Sequence, residues 1–326
     1  MTLDYFYGQS GEMFSYFRVP KILFRDIKFK DLSTDAKTLY GILLDRMGLS
    51  VVLREEMYGD KWVPLIPAFF IDGILSKKGN IVAKASVSRN YRFPTLNDLY
   101  FLPGGNPDLR NEHGFSYDAG VSFEVGKKSI YKLSGSANWF DSYIDDWIIW
   151  LPTTKGFFSP RNVKKVHAYG VEVKANLAVQ PAKDWLIDLN GSYSWTPSIN
   201  EGEKMSPADQ SVGKQLPYVP EHSASLTGRL SWRSWAFLYK WAYYSERFTM
   251  SSNDYTLTGH LPEYFMSNIS LEKGLSFKPL DLQLKFAVNN LFNEDYLSVL
   301  SRPMPGINFE LFIGITPKFD KNKKKQ

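Results

Sequence analysis

Residues 185–195, WLIDLNGSYSW, alternate between apolar and polar side chains along their whole length. Every second residue from Trp185 to Trp195 falls on one face, and Leu186 is the one apolar side chain on the other. At about 3.3 Å per residue and a strand tilt of about 40°, the two tryptophans lie roughly 25 Å apart along a membrane normal. This height is typical of the apolar band on a strand of a transmembrane β-barrel, with an aromatic residue at each rim.

The same period of two returns along most of the chain. Apolar residues alternate with polar ones in residues 116–125, 131–139, 169–179, 224–232 and 280–288. One such segment would also suit a soluble sandwich, but the repetition favours a barrel with an apolar outer face and a wet lumen. We therefore expect the polar faces to line the lumen, including the lysines at positions Lys84, Lys132, Lys174 and Lys285.

The lengths of the predicted connections also alternate. Short links at 76–80, 126–129, 180–184, near Ser234 and at 273–279 are interleaved with long ones at 91–114, 142–165, 197–221, 246–263 and 290–307. Transmembrane barrels have short periplasmic turns and long extracellular loops, whereas a soluble sandwich has no reason to keep this order. The pattern therefore predicts outer-membrane lipid as a partner, although the link at 59–64 is short where a long one is expected.

Composition excludes several classes of protein. Aromatic residues make up 16% of the chain and cysteine is absent. No stretch of eighteen apolar residues offers a transmembrane helix. The net charge of +5 equals the charge of the five lysines at 318–325, so the rest of the chain is balanced. The basic balance is therefore a property of the tail, and DNA binding is not expected from it.

Five motifs together resemble the C-terminal barrel of TonB-dependent outer-membrane receptors. They are SRNYRFPTLNDLYF (88–101), GNPDLRNE (105–112), YGVEV (169–173), VNNLFNEDY (288–296) and RPMPG (302–306). The resemblance covers about residues 51–319. The motif residues that carry it are Arg92, Pro94, Leu99, Asn106, Pro107, Leu109, Glu112, Gly170, Glu172, Asn290, Leu291, Tyr296, Pro305 and Gly306.

The resemblance implies an outer-membrane barrel of 22 strands, plugged by an N-terminal domain. Such a receptor imports a scarce ligand, such as a ferric siderophore or cobalamin, with energy from the TonB complex. We expect an all-β fold here: a partial antiparallel transmembrane β-barrel of about 11–12 strands of that type, with a short α-helical N-terminal segment. No segment resembles the plug, the TonB contact element or a secretory signal, so we expect this chain alone not to be competent for uptake.

The first fifty residues follow a different pattern. Apolar residues from Ala36 to Met47 recur at helical spacing, with Ser33 as N-cap and Gly48 as the stop. Residues 17–50 resemble the N-terminal domain of replication initiator protein A, a winged-helix plasmid protein. We therefore predict a truncated initiator fragment at 1–50, the barrel at 51–319 and a basic tail at 320–326. This would be a chimera joined near residues 50–53; in the alternative interpretation, the helix is an unusual N-terminal element of a genuine receptor fragment.

Plasmid replication initiation through residues 1–50 remains an alternative function. It is disfavoured because the DNA-reading helix would lie beyond residue 50. A passive porin is the alternative within transport.

The residues offer no catalytic constellation, so we expect neither an enzyme nor a cofactor. The histidines are scattered with no partner at metal-ligand spacing, and solvated surface positions are expected for His113, His167, His222 and His260. One aromatic set with a cation in the predicted loop 142–165 is suited to stacking on a large ligand: Trp147, Trp150, Phe157, Phe158 and Arg161. In the alternative interpretation, residues 147–150 extend a strand above the membrane and pack on neighbouring loops.

Overall fold

The computed structural model describes residues 47–58, 61–76, 78, 80–127, 130–204 and 207–318. These residues form a nearly all-β structure with one short helix. The helix predicted from Ser33, most of the predicted initiator fragment and the basic tail lie outside the described residues. Among the described residues, no helix has the length and apolar character needed to cross a bilayer.

The described residues up to Trp195 contribute nine strands and the helix. These are β1 (Met47–Arg54), β2 (Met57–Tyr58), β3 (Lys61–Trp62), β4 (Ile66–Ser76), β5 (Ile81–Arg92), α1 (Leu96–Tyr100), β6 (Glu112–Lys127), β7 (Tyr131–Pro152), β8 (Phe158–Ala182) and β9 (Trp185–Trp195). The second half continues with β10 (Ser198–Asn200), β11 (His222–Trp232), β12 (Trp235–Tyr244), β13 (Arg247–Phe248), β14 (His260–Leu261), β15 (Tyr264–Ser276), β16 (Leu280–Asn289) and β17 (Asn308–Pro317).

Twelve of these strands form one continuous sheet in the order β1-β4-β5-β6-β7-β8-β9-β11-β12-β15-β16-β17. Each neighbouring pair is antiparallel, and β10 adds to β8 beyond the end of β9. Within the described residues β1 and β17 do not pair with each other, so the sheet is open. The prediction of a partial antiparallel barrel of about 11–12 strands is therefore confirmed.

The pleat sorts the side chains of the sheet onto two faces. The outer face carries the apolar set of β9, and the register aligns Trp185 with Trp232 and Leu189 with Gly228. On β17 the outward residues Leu311 and Ile315 are 69% and 62% exposed, with no second layer of described structure over them. The apolar side chains thus cover the outside of the sheet and do not fill a protein core, as the alternation predicts.

Both rims of the outer face carry aromatic residues. At the rim near the short turns, the rings of Trp185 and Trp232 stack with centroids 5.7 Å apart. At the opposite rim, the rings of Tyr243 and Phe265 lie 4.9 Å apart. The aromatic residues predicted at the two ends of the apolar band are therefore paired across strands at both heights.

The connection predicted at 142–165 is mostly strand, so this expectation is wrong. β7 and β8 continue their pairing to Pro152 and Phe158, which leaves a tight turn at 153–157. The register is the same on both sides of Asp146, whose φ is +56°: Asp145 lies opposite Lys165 and Trp147 opposite Val163. The β-branched and aromatic residues that follow, Trp147 to Trp150, favour extended structure and explain the extension.

The start of the sheet also differs from the prediction. β1 begins at Met47 and includes Gly48, so the predicted helix does not end at Gly48. β1 pairs with β4 along its whole length, so residue 50 lies inside a strand. The outer face of β1 carries Leu49, Val51 and Leu53. The local period of two in residues 47–54 outweighs the helical spacing that ends at Met47. The short link after β1 is the β2–β3 hairpin.

Candidate functional site

Four long connections and the tight turn of the β7–β8 hairpin lie at one end of the sheet, called the loop end and defined by residues 93–111, 153–157, 196–221, 245–263 and 290–307. Antiparallel neighbours return every second connection to the same edge, so these five lie together. Several of the most buried side chains also lie at this end, namely those of Pro160, Thr249 and Leu261. A packed assembly of loops at one edge is where binding residues are expected.

An arginine and two buried carboxylates hold the loop at 93–111 against the sheet. The guanidinium of Arg92 donates from Nη1 to both oxygens of Glu112, at 3.0 and 3.1 Å, and from Nη2 to Oδ2 of Asp98, at 3.3 Å. Glu112 and Asp98 are each only 5% exposed. Buried carboxylates need such partners, because an unpaired charge removed from water is costly. Two family-motif residues, Arg92 and Glu112, therefore have a structural role.

Asp98 also caps α1. Thr95 is the N-cap, and its side chain accepts from the Asp98 backbone while the Asp98 carboxylate accepts from the Thr95 backbone, which forms a capping box. Burial alone would raise the pKa of the Asp98 carboxyl. Hydrogen bonds from the Thr95 backbone, the Trp150 indole and the Thr95 hydroxyl, with the charge of Arg92, hold this pKa below its ordinary value. The carboxylate therefore stays charged in the folded state.

Trp150 connects the β7–β8 hairpin to this cluster. Its Nε1 donates to Oδ1 of Asp98 at 2.9 Å, and its ring meets Phe101 edge-on at 5.9 Å. Two residues earlier, the backbone N–H of Ile148 donates to Oε1 of Glu112 at 2.7 Å. The indole N–H of Trp150 is therefore engaged in holding the loop, as the alternative interpretation of this segment predicts. We call Arg92, Asp98, Glu112 and Trp150 the loop strut.

The structure divides the predicted ligand-binding set between two sides of the hairpin. Trp150 lies against the loop that contains Asp98, and Phe158 is close to Gly104 of the same loop. Arg161 lines a cavity on the other side, next to residues 200–217. The other two residues of the set are half-buried: Trp147 in β7, paired with Val163, and Phe157 at the turn. These five side chains do not form one continuous surface.

The cavity beside Arg161 has a volume of about 320 Å³. Its wall includes Ile149, Arg161, Asn162, Asn200, Lys214 and Gln215. Glu203 and Asp209 also line it, so the cavity offers two cations, two carboxylates, several amides and an apolar floor. Its cations and amides can donate hydrogen bonds to an oxygen-rich ligand. We call it the loop cavity.

Asn200 shapes the loop that closes this cavity. Its side chain donates to the hydroxyl of Ser211 at 2.9 Å and accepts from the N–H of Gly202 at 3.0 Å. Its backbone N–H donates to the carbonyl of Lys214 at 2.9 Å. These residues were not predicted from the sequence because residues 200–217 have no periodicity. The signals that could have found them are the turn-forming pairs Asn200–Gly202 and Asp209–Ser211, each linked by a side-chain-to-backbone bond.

Asn290 holds the loop at 290–307, between β16 and β17. This residue is 2% exposed and has a φ of +51°. Its amide donates to the carbonyls of Glu294 and Pro305, at 2.9 and 3.3 Å, and its oxygen accepts from the N–H of Glu294 at 2.7 Å. A Cβ at Gly306 would lie 2.7 Å from Oδ1 of Asn293. These motif positions therefore fix the course of the loop.

Several other motif residues also connect loops to the sheet. Leu291 donates its N–H to the carbonyl of Ser267 at 2.8 Å, and the ring of Tyr296 lies 4.9 Å from that of Tyr264. Asn106 donates to the carbonyl of Pro160 at 3.1 Å. The remaining positions are a buried Pro94, a half-buried Leu99 and Leu109, an exposed Pro107, and a Glu172 whose carboxylate lies 3.9 Å from the Lys174 ammonium.

Gly170 lies in β8 where its backbone closely approaches the end of β9. A Cβ there would collide with the carbonyl oxygen of Trp195. The two backbones therefore approach too closely for any side chain at position 170.

The expectation of solvated histidines is wrong for His167. Its Nε2 and Nδ1 lie 2.9 Å from carboxylate oxygens of Asp141 and Glu201, and its ring stacks on Tyr143 at 4.1 Å. The side chain is 16% exposed. His222 similarly has Nδ1 2.8 Å from the Tyr193 hydroxyl. Cross-strand pairing brings these partners together, and spacing along the sequence could not show it.

Comparisons with known proteins agree with this architecture. A family model described as "TonB dependent receptor-like, beta-barrel" matches residues 74–291, and one for the N-terminus of replication initiator protein A matches residues 15–56. The vitamin B12 transporter BtuB of Photobacterium profundum is 25% identical over 232 residues, which cover 67% of this chain and 33% of that protein. The chain therefore spans about a third of the length of this relative.

Solved receptor structures show the same fold. The ferric-catecholate import receptor Fiu from E. coli K12 matches with a TM-score of 0.57 and 18% identity, over 79% of this chain and 36% of that one. The ferric enterobactin receptor PfeA from Pseudomonas aeruginosa matches with a TM-score of 0.56 and 18% identity, over 83% and 43%. The relatives named here are transporters and receptors. Because the barrel family model covers more than half of the sequence, the chain belongs to the TonB-dependent receptor β-barrel family.

Proposed function

We propose that this chain forms part of an outer-membrane receptor that takes up a scarce ligand of the ferric siderophore or cobalamin class, driven by the TonB complex. Family membership and the arrangement of the sheet support this proposal. Under it, the apolar outer face contacts lipid between its two aromatic rims, and the loop end faces the outside. In the complete receptor, TonB would act through the plug domain that the resemblance implies.

The observation that carries the proposal is the loop cavity at the end where the long connections gather. Arg161 and Lys214 supply two cations beside the carboxylates of Glu203 and Asp209, while Asn162 and Asn200 add amide groups. Ferric siderophores and cobalamin present many oxygen atoms, which such donors bind. Trp147, Trp150, Phe157 and Phe158 flank this region and are proposed to support the hairpin that carries Arg161.

A binding measurement on the full chain, refolded in detergent, tests the proposal. Ferric enterobactin, ferric citrate and cyanocobalamin are titrated separately while binding is followed calorimetrically. We expect one of them to bind saturably, and Arg161→Glu to weaken this binding at least tenfold. Arg233→Glu is the matched control, because Arg233 is exposed at the short-turn end. Absence of saturable binding for all three probes would contradict the proposal, and unselective conductance in planar bilayers would favour the passive porin.

Initiation of plasmid replication is the second candidate, because residues 15–56 match the initiator family model. Residues 47–54 of that match form the strand β1. We propose that DNA binding is not the function of this chain. A gel-shift assay with plasmid origin DNA tests this, and a sequence-specific shift would overturn it.

A further inference from the structure

Three tryptophans and one lysine form a row on the outer face of the sheet, at the rim near the short turns. The register places Trp185 of β9 opposite Trp232 of β11, and Trp232 opposite Trp235 of β12. Trp235 lies opposite Lys273 of β15. Directly opposed residues share a face of the sheet, so Lys273 lies on the outer face with the three indoles. We call these four residues the indole row.

The ammonium group of Lys273 is held beside the turn between β11 and β12. Its Nζ lies 4.4 Å from the centroid of the Trp235 ring and donates to the hydroxyl of Ser234 at 2.7 Å. The side chain therefore extends from the apolar face toward the turn. Lysines at the edge of a membrane place their charge among the headgroups in this way, while the aliphatic stem covers apolar surface. Contact with the face of an indole also stabilises the cation in this position.

Both the cation and the indoles of this row have free binding capacity. Within the part of the chain that the structure describes, Lys273 has no carboxylate partner, whereas Arg233 in the neighbouring turn lies 3.2 Å from a carboxylate oxygen of Asp184. The three indole N–H groups donate to no described residue, and each of the three tryptophans is 38% or 39% exposed. The row can therefore bind an anion that also has an apolar part.

The short links around the indole row carry positive charge. Each of the five short links predicted from the sequence contains at least one lysine or arginine, and Asp184 is the one carboxylate residue among them. Basic residues next to a bilayer surface attract anionic headgroups. The charge at this rim therefore favours a lipid with net negative charge over a zwitterionic one.

We propose that the indole row binds the headgroup of an anionic phospholipid in the leaflet at the short-turn end. Lys273 faces the phosphate, and the indole N–H groups donate to phosphate and ester oxygens while the rings contact the upper acyl chains. The ammonium group of a zwitterionic headgroup finds no free carboxylate here, because Asp184 is paired with Arg233. The inference rests on the proposed function, because it requires the outer face of the sheet to lie in lipid.

Brominated lipids test the proposal, because bromine atoms on an acyl chain quench the fluorescence of tryptophans that they contact. The full chain is reconstituted in phosphatidylcholine vesicles that contain a small fraction of one brominated lipid, either phosphatidylcholine or phosphatidylglycerol. The difference in quenching gives the binding constant of phosphatidylglycerol relative to phosphatidylcholine. We expect this constant to favour phosphatidylglycerol in the parent chain and to fall about fivefold in Lys273→Gln, which removes the attraction of one lysine for an anionic lipid.

Two further variants make the result specific to the indole row. Lys240→Gln is the matched control, because it removes the same charge from the inner face of β12, where Lys240 is exposed. This variant is expected to leave the relative binding constant unchanged. Lys273→Arg keeps the charge and is expected to keep most of the preference. Equal constants in Lys273→Gln and Lys240→Gln would overturn the proposal.

The same measurement separates failure of this inference from failure of the proposed function. Absence of quenching by brominated phosphatidylcholine in the parent chain would refute the membrane assignment, and with it the proposed function. Quenching by this lipid without a preference for phosphatidylglycerol would refute the headgroup site alone. Inorganic phosphate is finally compared with sodium chloride of equal ionic strength. We expect the same preference in both salts, and its loss in phosphate alone would assign the site to a free anion and contradict the binding of a lipid.

Discussion

Trp150→Phe separates the two interpretations of the aromatic hairpin. A phenylalanine keeps a ring that can stack on a ligand or on Phe101, but it loses the indole N–H that donates to Asp98 at 2.9 Å. If Trp150 serves as part of the loop strut, the substitution destabilises the loop at 93–111. If it serves only as a stacking surface, the stability of this loop stays nearly unchanged.

The structure gives the size of the effect. Hydrogen bonds to charged groups contribute about 1.5–3 kcal/mol, and Asp98 is too buried for water to replace the lost donor. The other oxygen of Asp98 keeps its bonds from Thr95 and Arg92. We therefore expect a loss of about 2 kcal/mol in the free energy of opening this loop, which corresponds to about thirtyfold more frequent opening.

Hydrogen exchange reports this opening directly. The backbone N–H of Leu99 is bonded to Thr95 and that of Asn106 to Asp98, at 3.1 and 2.8 Å. Both amides are expected to exchange about thirtyfold faster in Trp150→Phe than in the parent chain. Trp147→Phe is the matched control, because it removes an indole from the same strand without touching the strut. Equal exchange rates in the two variants would refute the structural role of Trp150.

Three further predictions concern the loop end and the sheet. The low pKa of Asp98 stabilises the folded loop above the ordinary value of 3.8, and this contribution is lost as pH falls through the folded pKa. We therefore expect α1 to open as pH falls in the parent chain but not in Asp98→Asn, and hydrogen exchange of its backbone amides measures this opening. The same acid profile in both chains would contradict this. Gly170→Ala should abolish refolding to the compact form on a semi-native gel, because its Cβ meets the carbonyl of Trp195; Gly191→Ala, with its nearest atom at 3.9 Å, should refold normally. Asn290→Ala removes three buried hydrogen bonds and should cost about 2–3 kcal/mol in denaturant unfolding, so a loss below about 0.5 kcal/mol would be inconsistent with its role.

The sheet was predictable because each strand carries its own signal. The alternation in β9 and β11 fixes which side chains face outward, and the alternating connection lengths fix the loop end. The end of β7 was not predictable in this way, since the same apolar residues suit a strand or a loop surface. Pairing with β8, which continues beyond Asp146 in the same register, decides between them.

The loop strut was only partly visible in the sequence. Arg92 and Glu112 stand out as motif residues, but the bond between Asp98 and Trp150 joins positions 52 residues apart. The capping box at Thr95 was a readable local signal, with the acidic residue three positions later. Cross-strand partners of His167 and the residues of the loop cavity depend on register and loop packing, which no local pattern contains.

Contact between the apolar face of the sheet and lipid is the central claim. Single cysteines at neighbouring positions of β9, Leu189→Cys on the outer face and Asn190→Cys on the inner face, can each carry a nitroxide label in vesicles. The membrane assignment predicts that the label at 189 relaxes with lipid-soluble oxygen and the label at 190 with a water-soluble nickel chelate. A label at 189 that is reached by neither reagent, or only by the chelate, would contradict it.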